Sequence, residues 1–132
     1  MDVLFYAPEG VGEDIRKTVS GVIPGLEVFR SQAALAERFR RVLEQPAITV
    51  LIAQDRDELE RLLTMRTAFR DTKTVLVLPD RRAETVSRGH CLEPRFMTYL
   101  DQNPAEVVAV LVKMANPGNG NREPLRERIS LP

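Results

Sequence analysis

The feature that most constrains this chain is a set of short apolar runs that do not alternate with polar residues. Val3-Leu4-Phe5-Tyr6, Ile48-Thr49-Val50-Leu51-Ile52 and Val75-Leu76-Val77-Leu78 are rich in β-branched or aromatic side chains and too short to be ordinary helices. A strand with one wet face alternates apolar and polar residues, so a run without alternation calls for cover on both faces, as in a parallel sheet flanked by helices. Two weaker runs, Glu27-Val28-Phe29-Arg30 and Arg95-Phe96-Met97-Thr98-Tyr99-Leu100, carry more polar residues and suit strands nearer the sheet edges.

Segments of helical period lie between these runs. In the first, Ile15, Val19, Val22 and Ile23 fall on one face, with Glu13 and Asp14 placed to favour the helix dipole and Pro24-Gly25 to end it. In the second, Ser31 is an N-cap and Leu35, Phe39, Val42 and Leu43 line a face up to Pro46, leaving Glu37, Arg38, Arg40, Arg41 and Glu44 for water. A third runs from Asp57 through Leu59, Leu62, Leu63 and Phe69, a short and marginal fourth lies between Arg81 and Gly89, and a fifth runs from about Pro104 to Asn116. Five strand-helix units imply right-handed crossovers and a three-layer α/β domain. The expected form is a doubly wound, five-stranded parallel sheet of flavodoxin-like order 2-1-3-4-5.

The chain has 132 residues, the size of one domain with one core. The domain is expected over 1–116, and 117–132 reads as a Pro/Gly/Asn-rich tail carrying Leu125, Ile129 and Leu131. Nineteen basic side chains balance 19 acidic ones and are interleaved with them, so no basic field gathers a phosphate backbone and nucleic acid is a poor partner. No stretch approaches the roughly 18 apolar residues of a membrane span, and the N-terminus lacks a signal-peptide pattern. Cys91 has no second cysteine to pair with, which fits a reducing, cytoplasmic setting. His90 beside it reads as a plain loop histidine next to a half-buried thiol, since adjacent side chains diverge on either a helix or a strand.

Ligands of open α/β sheets sit beyond the carboxyl ends of the strands. There the loop Pro8-Glu9-Gly10-Val11-Gly12-Glu13-Asp14 offers two glycines before a helix, but no Gly-Lys-Ser/Thr, and Ile15 stands where a dinucleotide fingerprint needs a third glycine. The residues therefore point to no cofactor. Glu9, Asp55, Asp57, Asp80 and Asp101 all belong to this edge, so a divalent-metal or small-ligand site is the alternative reading.

In length, element order and phasing, the span from Met1 to about Asn116 resembles response-regulator receiver domains. The resemblance implies acidic residues after the first strand, an acceptor Asp after the third, Ser or Thr after the fourth and Lys after the fifth. Here those positions hold Glu9, then Gln54 or Asp55, then Pro79, then Leu100 and Asp101. Phosphoryl transfer needs fixed positive charge around the equatorial oxygens, which Leu or Asp in place of Lys removes or inverts. The expectation is a degenerate, non-enzymatic signalling or protein-interaction module without a catalytic residue or metal. Receivers commonly meet partners or a second copy through the fourth helix, fifth strand and fifth helix. On that surface Tyr99, Val108, Val112 and Ala115 are the candidate contacts, with Val107, Val110, Leu111 and Met114 turned to the core.

Overall fold

A computed structural model describes residues 1–115. Five parallel strands, β1 (Asp2–Tyr6), β2 (Glu27–Phe29), β3 (Ala47–Ile52), β4 (Lys73–Leu78) and β5 (Phe96–Tyr99), form one sheet in the order β2-β1-β3-β4-β5. The helices are α1 (Glu13–Ser20), α2 (Gln32–Arg38), α3 (Arg56–Leu63), α4 (Arg66–Phe69), α5 (Ala83–His90) and α6 (Pro104–Ala115). This is the flavodoxin-like arrangement expected from the unalternated runs, with the two weak strands at the edges. The boundary expected at Asn116 and the tail residues Leu125, Ile129 and Leu131 lie outside the described residues.

The strands are apolar throughout because each builds two cores. Val3, Phe5, Ile48, Val50, Ile52, Val75 and Val77 pack with Ile15 and Val19 of α1 and with Val107 and Leu111 of α6. On the other face Leu4, Tyr6, Leu51, Leu76 and Leu78 pack with Leu35, Leu59, Leu62 and Phe69 from α2, α3 and α4. All six residues of β3 are buried. At about 1.5–3 kcal/mol for each fully buried Val, Leu or Ile, this central strand anchors both layers.

Three of the helical segments are shorter than their sequence period suggests. Ser31 does cap α2, accepting the Ala34 N–H at 3.1 Å, but the helix ends at Arg38 and Val42 is 94% exposed. Arg38, expected in water, is buried because Asp2 and Glu27 meet its guanidinium at the amino ends of β1 and β2. Val22, expected on the buried face of α1, follows the end of that helix and is exposed. The third helical segment breaks after Leu63 into α3 and α4, while Leu59, Leu62, Leu63 and Phe69 remain buried.

The marginal fourth segment is a helix, α5. Its Gly89 lies where a Cβ would come within 3.0 Å of Met97 Sδ and 3.2 Å of Leu76 and Leu78, so the glycine that weakens helix propensity is what lets α5 lie close on the sheet. His90 ends α5 and is exposed. Cys91 is exposed as well, against the expected half-buried thiol, because it caps the helix with its side chain turned outward from the core.

Candidate functional site

The carboxyl edge is assembled from the loops after β1, β3, β4 and β5. After β1, Gly10 and Gly12 take positive φ values of 78° and 67°, and the Val11 N–H closes a turn on Pro8 O at 3.0 Å. A Cβ at Gly12 would stand 2.6 Å from Ile52 Cδ1, so this glycine serves the close packing of the loop on β3. Glu9 is exposed in the same loop.

After β3 the chain passes through exposed Gln54 to Asp55, which is the N-cap of α3 and accepts the Glu58 N–H at 2.8 Å. Glu58 is only 3% exposed; it accepts the Gln54 N–H at 3.0 Å and the Tyr6 hydroxyl. Burial pushes the Tyr6 phenol well above its ordinary pKa, and the hydrogen bond to Glu58 adds to that rise. Reasoning from sequence missed Glu58 and Tyr6 as a pair. The signal was present in Asp55-Arg56-Asp57-Glu58, the spacing of a capping box, although Glu58 reaches the N–H one residue before the cap.

After β4, half-buried Pro79 precedes Asp80, whose carboxyl lies below the usual aspartate range chiefly because it accepts the Arg82 N–H at 2.9 Å. After β5, Asp101 accepts a 2.8 Å hydrogen bond from Arg81, and that bond holds its carboxyl below the usual range. The Arg81 guanidinium also lies 4.2 Å from the centroid of the Tyr99 ring. The acid after β5 is thus paired with a cation from the loop after β4.

Gln54, Asp55, Asp57, Pro79 and Asp80 line one depression of about 390 Å³ together with Arg56 and Arg82. Glu9 and Asp101 do not line it. Among the described residues no three His, Cys, Asp or Glu side chains stand close enough to hold a metal ion.

On α6, Val107 and Leu111 are buried, and Val110 and Met114 pack against the same core. Val108 and Ala115 also pack there, so the second apolar line expected on this helix is partly absorbed by the fold. Val112 is 39% exposed, and Tyr99 is half-buried beneath Arg81. Among the described residues no helix is long and apolar enough to cross a membrane. No family model matches the chain, and neither a curated protein nor a solved structure matches it. Architecture alone therefore defines its class, a flavodoxin-like α/β domain with five parallel strands in the order 2-1-3-4-5.

Proposed function

We propose that this chain is a non-enzymatic, receiver-like signalling module of the cytoplasm, acting by contact with another protein and not by phosphoryl transfer. The observation that carries the reading is the occupation of Asp55. Its carboxyl is engaged in capping α3 by accepting the Glu58 backbone N–H, and the Glu58 side chain is itself buried against Tyr6. A phosphoryl group on Asp55 would cost the cap and find no hydroxyl at Pro79. Position 101 offers an acid in place of a cation, and that acid is already paired with Arg81.

The contact surface in this reading comprises α5, β5 and α6, with Tyr99, Val108, Val112 and Ala115 as contact residues and a second copy of the chain as the first partner to test. Val112 is one of five large hydrophobic residues exposed among those described, and the only one of them on α6. Sedimentation over a wide concentration range, with and without acetyl phosphate and Mg²⁺, tests both halves of the proposal. The wild type should self-associate, Val112→Glu should weaken that association by burying an unpaired carboxylate, and acetyl phosphate should leave both mass and association unchanged. A stoichiometric adduct on Asp55, or identical monomeric behaviour of wild type and variant, overturns it.

A further inference from the structure

At the amino-terminal edge of the sheet, where β4 and β5 begin, a cleft of about 420 Å³ is lined by Arg66, Arg70 and Arg95 with Cys91, Glu93 and the buried Phe69. We propose that this cleft binds a small phosphate-bearing anion of two or more negative charges, such as a phosphomonoester or a diphosphate. It lies at the opposite end of the strands from Asp55 and does not depend on the reading given above.

The first support is the pairing of the arginines. Among the described residues Arg16, Arg30, Arg38, Arg40, Arg56, Arg81 and Arg88 each meet a carboxylate within 4.0 Å. Six others meet none although acids are as numerous as bases in this chain, and three of those six, Arg66, Arg70 and Arg95, line this one cleft, while Arg41, Arg61 and Arg82 lie outside it. Concentrating three unpaired guanidinium groups around one concavity is unfavourable in the protein alone. Arg66 and Arg70 are four residues apart on one helical face, where like charges repel.

The second support is how firmly the cleft is framed. The Arg95 N–H donates to Thr74 O at 2.8 Å, so the sheet fixes its backbone. Glu93, whose N–H donates to His90 O at 2.9 Å, turns the chain back from α5 to β5 with a φ of 54°, a conformation that an ordinary side chain adopts at a cost. Strain of this kind collects where a surface is shaped for contact with a ligand. Glu93 is the one acid lining the cleft, so three positive groups face one negative group and the balance favours a multiply charged anion.

Guanidinium forks match phosphate oxygens bidentately and stay charged at every physiological pH. The volume lies toward the small end of the roughly 300–1,000 Å³ usual for ligand pockets, which suits a compact anion and not a nucleic-acid strand. Ligands of open α/β sheets usually gather at the carboxyl edge because helix N-termini point there; here side chains supply the charge, so the amino edge can serve.

The single cysteine provides a reporter inside the cleft. Full-length protein is melted, and its Cys91 alkylated with iodoacetamide, in sodium pyrophosphate and in sodium chloride of matched ionic strength. Pyrophosphate should raise Tm by several degrees over chloride and slow alkylation several-fold, since a ligand that binds only the folded state stabilises it by mass action. Arg66→Gln/Arg70→Gln should lose both effects while keeping its own Tm in chloride. Arg41→Gln/Arg61→Gln, which removes two unpaired arginines outside the cleft, should retain them. No response in the wild type, or an equal response in all three proteins, overturns the proposal.

Discussion

Where β1 and β2 begin, Arg38 is buried and its guanidinium bridges Asp2 at 3.1 Å and Glu27 at 2.9 Å, whereas where β4 and β5 begin, Arg66, Arg70 and Arg95 stand around an open cleft and none forms an ion pair among the described residues. The residue type and the sheet edge are the same. What differs is that parallel pairing sets Glu27 beside Leu4, two residues along β1 from Asp2, so that Arg38 at the end of α2 reaches the first residue of both strands. At the other corner Lys73 and Phe96 begin the strands, and neither can neutralise a guanidinium. An arginine met by acids from its own fold is part of the frame, while three left without them around one concavity are available to a ligand.

The largest expected effect falls on the first corner. Arg38→Met would leave Asp2 and Glu27 without their shared cation. Because both carboxyls are partly exposed, the cost should be about 1–3 kcal/mol, below the 3–5 kcal/mol of a fully buried pair. Urea denaturation measures it, and a loss under about 0.5 kcal/mol, the usual range for surface substitutions, would erase the distinction between the corners.

A smaller effect sharpens the same contrast through pH. The Asp2 carboxyl is held below the usual aspartate range first by the Glu44 N–H, which it accepts at 2.7 Å, and then by Arg38. A carboxyl lowered in the folded state contributes stability that is present above its ordinary value of about 4 and is lost as the pH falls through the folded-state value. The wild type should therefore lose stability in acid more steeply than Asp2→Asn, as thermal melts from neutral pH downward will show. Parallel curves for the two proteins would remove Asp2 from the frame.

The smallest effect belongs to the second corner. Arg70→Gln, assayed without added anion, should change stability by no more than about 0.5 kcal/mol, and relief of the repulsion from Arg66 favours a slight gain. A large loss of stability on this substitution would make Arg70 structural and bring the two corners together.

How much of this was legible differs by level. The doubly covered strands followed from unalternated runs, the order 2-1-3-4-5 from the alternation of five strands with helices, and Ser31 as the cap of α2 from local hydrogen-bonding chemistry. The ends of the helices were less legible. Val22 and Val42 keep the apolar period past the last turn of α1 and α2, but periodicity records which side chains could face a core and not whether the backbone still turns to bring them there.

At the candidate sites the limits were stricter. Asp55 and Asp101 were identified by position, yet their roles depend on partners 3 and 20 residues away, Glu58 and Arg81. Tyr6 and Glu58, 52 residues apart, and Arg38 and Asp2, 36 apart, meet only because β1 is threaded between β2 and β3. What the sequence alone determined is what is periodic or local: five strands, their cover, and the caps. Which charges are neutralised and which are left over was decided by tertiary structure, because a Coulombic or hydrogen-bonded partnership acts over a few ångströms and the chain reaches that range only by folding.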